Sequence, residues 1–209
     1  MTQYVIVRVK YPNQNNRFCQ LGLRESKARF FGGKSLAPWP EQAVFVMDQR
    51  YKKKPKKSQI FGDVLSDFLS NTDDLLVVSA RVRTTFEQAG HSGIEFLPAK
   101  ITNWQDELVS EPYWIVNFLN PLDCLDVGAS KTPDTATRAR YEANGLALPA
   151  PGTQWWQLVI DQKRIDPTLQ IFQIAGTRLT CVRDDFWEKL REYPNLEQVE
   201  NASDVIVDI

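Results

Sequence analysis

The sequence predicts an α+β fold, with a mixed, mainly antiparallel sheet or sheets covered by a few short helices. Three features carry that expectation. Short β-prone runs recur along the chain, several follow one another with no helical stretch between them, and few segments space their apolar residues at a helical period. With 209 residues, 43% of them hydrophobic, and six tryptophans, the chain can fill one large domain or two small lobes sharing a core.

Residues 4–10 alternate, with Val5, Val7 and Val9 on one face and Tyr4, Ile6 and Arg8 on the other, and predict the first strand. Residues 12–17 (PNQNNR) read as a turn, residues 19–31 have no clean period, and residues 43–47 predict a short strand. Phe61, Val64, Leu65 and Phe68 stand at i, i+3, i+4 and i+7, which predicts an amphipathic helix over 61–69. Residues 75–78 form a strand, after which Ser79 can cap a helix through Ala89. Val82, Phe86 and Ala89 point inward, and Gly90 is the stop. Residues 94–97 give another strand, running up to Pro98.

Residues 111–126, EPYWIVNFLNPLDCLD, hold the longest apolar β-prone run: Tyr113, Trp114, Ile115, Val116, Phe118 and Leu119. Near-continuous apolarity implies burial on both faces, and so a central strand. Asn120-Pro121 ends it, since proline has no N–H for a ladder. Beyond lie Asp123 and Asp126, which read either as a site or as a polar lock on the following turn; on one side of a helical turn they would share a face.

Thr132-Pro133 and Asn144-Gly145 bracket a surface helix with a thin face of Ala136, Ala139 and Ala143, and residues 146–153 form a linker. Residues 155–160 and 171–174 are strands. Residues 185–193 are a helix, for which Asp185 and Glu188 suit a capping box and Phe186, Trp187, Leu190 and Tyr193 line one side. Residues 205–209 close the sheet as an edge strand. The strand–helix–strand pattern of 75–97 returns at 179–200. At an offset of 104, Val78, Val82, Phe86 and Ala89 fall on Val182, Phe186, Leu190 and Tyr193, although helices docking on a sheet share such a pattern anyway.

The formal net charge of −1 conceals a polarity. Residues 1–60 carry 13 Lys or Arg against 3 Asp or Glu; residues 61–209 carry 12 against 23. We therefore divide the chain into a basic N-terminal lobe, 1–60, packed on an α+β domain, 61–209. The imbalance concerns partners and solubility rather than fold, and packing of the lobes can cancel it. Its densest part is RYKKKPKK, with Arg50, Lys52, Lys53, Lys54, Lys56 and Lys57 interrupted by Pro55. A solvated linker or hairpin tip explains it; an anionic-ligand patch is the alternative.

Few residues suggest bond-making chemistry. The single histidine, His91, follows a helix stop and has no evident nucleophile or acid beside it. Gly32-Gly33-Lys34-Ser35 looks like the tail of a phosphate-binding loop, but the leading glycine position is Ala28. Cys19, Cys124 and Cys181 are odd in number and far apart, which predicts reduced, buried thiols with no disulfide framework or zinc site. A histidine-rich metal centre is impossible, though carboxylates alone can bind Mg²⁺ or Ca²⁺. The paired acids carry no further signature, so no catalytic, cofactor or metal residue is assigned. No run of 18 apolar residues occurs, and MTQYVIVRVK lacks the parts of a signal peptide; the expected location is the cytoplasm.

The order of segments resembles the bacterial polymorphic-toxin immunity protein family first described from a myxobacterial toxin locus, formerly a domain of unknown function. The resembling stretches are FGDVLSDFL at 61–69, LLVVSARVRTTFEQAGHSGIEFLPAKI at 75–101, YWIVNFLNPLDCLD at 113–126, and IFQIAG leading into the strand and helix at 179–190. They span roughly 61–200 and leave the basic first 60 residues outside. Such relatives commonly follow the acids with a charged residue and a serine, whereas this chain reads Asp126-Val127-Gly128-Ala129-Ser130.

The resemblance implies a non-enzymatic cytoplasmic protein that binds and neutralises a cognate toxin encoded by the adjacent gene, with no cofactor and no membrane. For a basic toxin cleft the expected contacts are Asp184, Asp185, Glu188 and Glu192, with Asp123 and Asp126 second. Trp39, Trp104, Trp155 and Trp156 include plausible anchors. Two alternatives follow from the residues: a nucleic-acid-binding protein using the 50–57 tract, and, last, a carboxylate-dependent metal hydrolase at Asp123/Asp126.

Overall fold

Strand β1 (Tyr4–Val9) sends Val5, Val7 and Val9 into one apolar cluster and Tyr4 and Ile6 into another, the two-sided burial its alternation requires. It lies inside a four-stranded antiparallel sheet, between β10 (Thr180–Arg183) and β11 (Leu196–Gln198), with β9 (Ile171–Gln173) beyond β10. The computed structural model describes residues 4–10, 19–23, 33–39, 44–47, 64–71, 75–90, 93–103, 105–126, 128–130, 158–175, 179–199 and 205–208.

Six strands close into a barrel in the order β2-β3-β6-β7-β5-β4: β2 (Gln20–Leu23), β3 (Val44–Met47), β4 (Phe68–Asn71), β5 (Val77–Ser79), β6 (Ile94–Thr102) and β7 (Tyr113–Phe118). Strands β8 (Leu158–Asp161) and β12 (Val205–Asp208) form a separate parallel pair, so β12 is an edge strand outside the larger sheets. The fold is α+β with antiparallel pairing dominant. The barrel interior is solid: Leu21, Phe45, Leu69, Val77 and Ile115 are fully buried inside it. Strand β7 pairs with both β5 and β6, which makes it central. Tyr113 and Ile115 face the barrel interior, while Trp114, Val116 and Phe118 face outward.

Helices α1 (Ala80–Gln88) and α2 (Asp184–Leu190) fill the seam between barrel and sheet. Ser79 caps α1, its Oγ accepting the Val82 N–H at 3.5 Å, and Gly90 follows the helix at φ +74°. Phe86 of α1 and Phe186 of α2 meet with ring centroids 5.7 Å apart. Tyr193, just past α2, hydrogen-bonds Thr85 at 2.6 Å and stands edge-on to Phe68.

The two strand–helix–strand units share one topology. In the barrel, β5-α1-β6 joins two parallel strands with antiparallel β7 between them; in the sheet, β10-α2-β11 does the same around β1. The registers coincide as well. Val77, Val78 and Ser79 pair with Ile115, Trp114 and Tyr113, as Cys181, Val182 and Arg183 pair with Ile6, Val5 and Tyr4. That places YWIVNF of β7 on YVIVRV of β1. Even the cross-strand polar pair repeats: Asn117 Nδ2 donates to Glu95 at 2.9 Å, and Arg8 Nε donates to Glu197 at 2.8 Å.

Several sequence expectations need correction. Residues 64–67 are not helical, and Phe68 and Leu69 belong to β4. These two neighbours are buried in different clusters, which demands a period of two, so the helical spacing does not hold through Val64, Leu65 and Phe68; residues 61–63 lie outside the described residues. Asn71 shapes the return to β5, its Oδ1 accepting the Leu75 N–H and its Nδ2 donating to the Leu75 carbonyl. Strand β6 does not end at Pro98 but continues to Thr102; pairing with β3 begins only at Lys100, so the missing N–H is tolerated. Asp185 makes no capping box, since Arg183 is the N-cap without a side-chain bond and Asp185 lies within α2. The helix expected over 133–144, the linker over 146–153, Trp104, Trp155, Trp156 and His91 lie outside the described residues.

Candidate partner-binding surfaces

The segment after β7 is extended rather than helical. Leu122 bridges Ile174 and Leu125 bridges Ile160, so the chain stitches the end of β9 to β8. The apolar Leu122, Cys124 and Leu125 face the core while Asp123 and Asp126 are exposed. Asp126 acts as a local lock. Its Oδ1 accepts the Ala129 N–H at 2.9 Å and its carbonyl accepts the Ser130 N–H at 2.9 Å, while the buried Ser130 Oγ accepts the Val159 N–H. Asp123 lies 3.6 Å from Arg164, whose guanidinium is also 3.4 Å from Asp161.

The second acidic group sits on α2. Asp185 takes two hydrogen bonds from Arg183, at 2.6 and 2.8 Å, and these hold its carboxyl below the ordinary aspartate range against a small opposing effect of burial. The same guanidinium donates to the Pro167 carbonyl. Glu188 pairs with Arg191 at 2.6 Å. Among the described residues no ion pair involves Asp184 or Glu192. Two of these four acids, Asp185 and Glu188, are thus met by neighbouring arginines, and Asp184 and Glu192 are not. The basic tract Arg50, Lys52, Lys53, Lys54, Lys56 and Lys57 lies outside the described residues.

Gly33-Lys34-Ser35 clamps one end of the barrel instead of binding phosphate. Ser35 Oγ donates to Glu95 at 2.7 Å, the Leu36 N–H donates to the same carboxylate at 3.0 Å, and Asn117 Nδ2 donates to the Lys34 carbonyl. Burial raises the Glu95 pKa, but these hydrogen bonds outweigh it and the net shift is downward. The anion this loop holds is therefore one of the protein's own.

Cys19, Cys124 and Cys181 are buried and unpaired with one another. Burial pushes the Cys124 thiol up to about 11 and the Cys181 thiol well above its ordinary value, which keeps both protonated and unreactive at neutral pH. Among the described residues no three His, Cys, Asp or Glu side chains group to hold a metal ion, and no helix is long and apolar enough to cross a membrane.

The sequence reading missed the connection from β6 to β7. Asn103 organises it: its Oδ1 accepts the N–H groups of Gln105 and Glu107 at 2.8 and 3.0 Å, and its Nδ2 donates to Glu107 Oε2 at 2.9 Å. Leu108, held opposite Thr102 in an antiparallel bridge, is 67% exposed. A signal was present, for no Lys, Arg or His occurs between Lys100 and Lys131 while Asp106, Glu107, Glu111, Asp123 and Asp126 do. The structure puts the first three of these acids and the last two at opposite ends of β7.

Residues 7–167 match the model of the Immunity protein family (Imm11). The chain belongs to that family. The match opens inside β1 and closes before β9, so it takes in the basic N-terminal sequence and leaves out α2, unlike the 61–200 span expected from the resembling stretches. Asp123, Asp126 and the β6–β7 connection fall within the Imm11 match; Asp184, Asp185, Glu188 and Glu192 fall beyond it. No curated protein sequence gives a significant match.

Proposed function

We propose that this Imm11 protein binds a cognate bacterial toxin in the cytoplasm and neutralises it by covering a functional surface, without chemistry of its own. The observation that carries this reading is the Imm11 match over residues 7–167. The structural engagement of Asp126, which locks a turn, and of Asp185 and Glu188, which pair with arginines, supports the part of the reading that gives these acids no bond-making role. Inhibition by occlusion needs a stable complex, which should bury more than about 1,000 Å².

The test is co-expression with the toxin encoded by the adjacent open reading frame. Growth should recover and the two proteins should co-purify in a fixed ratio. A toxin from that locus left fully active and unbound at micromolar immunity protein would overturn the proposal. So would turnover of a substrate by the purified protein alone.

A further inference from the structure

We infer that residues 33–37 form a strap across one end of the barrel that opens as a unit of its own, with Glu95 as its latch and the barrel left folded beneath it. The inference concerns the fold and does not depend on the toxin-binding reading.

The strap is fixed at its two ends. At one, Gly33 takes φ +63° and sits so close to the segment after β7 that an added Cβ would lie 2.6 Å from Pro121 Cδ and 3.3 Å from the Leu119 carbonyl oxygen. At the other, Trp39 donates its Nε1–H to the Pro98 carbonyl at 2.9 Å and, with Leu36, packs against the barrel core. Between these ends the bonds to the barrel run through two side chains. Glu95 accepts the Ser35 hydroxyl at 2.7 Å and the Leu36 N–H at 3.0 Å, and Asn117 Nδ2 donates to the Lys34 carbonyl at 3.0 Å. Asn117 also donates to Glu95 at 2.9 Å, so the two make one node. Among the described residues no main-chain hydrogen bond joins 33–37 to another segment. A segment outside the strand ladders can part from a sheet without tearing it.

The second strand–helix–strand unit shows the same cross-strand pair without a strap. There the acid, Glu197, is met by the cation of Arg8. In the barrel the corresponding partner is the neutral amide of Asn117, which leaves the Glu95 charge to draw the N–H and O–H of the strap. Burial opposes ionisation of Glu95, yet these bonds outweigh it and hold the carboxyl below its ordinary range, as donors aimed at the charged form do.

Closure also carries a cost. Asn117 is 2% exposed, and its Oδ1 is buried with no hydrogen-bond partner among the described residues. Nδ2 and Oδ1 belong to one planar amide set against the strap, so lifting the strap lets water reach an acceptor that closure leaves unmet. A segment held by a few side-chain bonds over such a group opens more readily than the strands it covers.

Hydrogen exchange of the full-length protein, read amide by amide by NMR in urea concentrations below the unfolding transition, tests this. In the parent, the Leu36 amide should exchange through an opening insensitive to urea. The Val116 amide, bonded to the Leu76 carbonyl within the barrel, should speed up as urea rises. Glu95→Gln sets N–H groups where the strap's donors point, and should speed Leu36 exchange about 10- to 100-fold while Val116 changes less than about threefold. Ser35→Ala removes one donor from an exposed residue and leaves the barrel intact; it should speed Leu36 several-fold. An unchanged Leu36 rate in either variant overturns the latch. A urea dependence at Leu36 equal to that at Val116, or equal acceleration of both amides in Ser35→Ala, overturns the separate opening.

Discussion

Phe186→Ala tests whether barrel and sheet form one cooperative unit. Phe186 is 1% exposed and meets Phe86, itself fully buried, across the seam; Val82, Val116, Val182 and Leu190 belong to the same cluster. Truncation removes a whole ring from a site walled by both halves, so the loss should fall in the usual range for a buried phenylalanine, about 3–5 kcal/mol. For a chain of this size each kcal/mol lowers the melting temperature by about 2–4 °C, so a fall of roughly 6–20 °C is expected. Urea unfolding followed by far-UV circular dichroism and by tryptophan fluorescence reads the result, since Trp114 reports from the barrel and Trp187 from α2. Both traces should shift together. A cycle of Phe86→Leu and Phe186→Leu should add a coupling of about 0.5–1.5 kcal/mol from the ring contact. A loss below about 1 kcal/mol, or two separated transitions in the parent protein, would refute the shared core.

Gly33→Ala should destabilise more than Gly90→Ala, by about 1–3 kcal/mol against about 1 kcal/mol, in the same urea assay. Both glycines have positive φ, but a Cβ on Gly33 would lie 2.6 Å from Pro121 Cδ, whereas one on Gly90 meets nothing within 4 Å. Ellman's reagent at pH 8 should find no fast-reacting thiol among Cys124 and Cys181 in the folded protein and both on unfolding, because burial raises their pKa. Asp185→Asn should cost below about 1 kcal/mol at neutral pH, since Asp185 is 60% exposed and the pair is solvent-screened. The folded-state pKa of Asp185 is depressed, so its contribution is present above the unfolded value of about 4 and is lost as pH falls below it; the variant's acid-unfolding curve should lack that part of the decline.

The elements readable from sequence are those whose signals are local. Strand β1 announces itself by its alternation, α1 by Ser79, Val82, Phe86 and Gly90 in register, and β7 by near-continuous apolarity. Strand β4 is hidden because Phe61, Val64, Leu65 and Phe68 also satisfy a helix, and only the closed barrel puts Phe68 and Leu69 on opposite sides. Barrel closure depends on the parallel pairings β2–β4 and β3–β6 between distant segments, which no short window encodes. At the surface, acids attract attention wherever they cluster, yet the sequence does not say which are already paired. Arg183 and Arg191 settle that for Asp185 and Glu188. Leu108 is overlooked because Leu108-Val109 between acids is too short to show a period, and the Asn103 bonds that shape the loop are not legible in it.

The placement of β1 between β10 and β11 has a consequence for biosynthesis. Residues 4–9 acquire their neighbours only when residues near 200 have been made, on the order of ten to thirty seconds later at ordinary elongation rates. Through that interval a sticky valine-rich ribbon is bare on both edges and open to pairing with another nascent chain. Loss of residues 168–199 would make that exposure permanent, so the portion beyond the Imm11 match acts as an intramolecular guard for the portion within it.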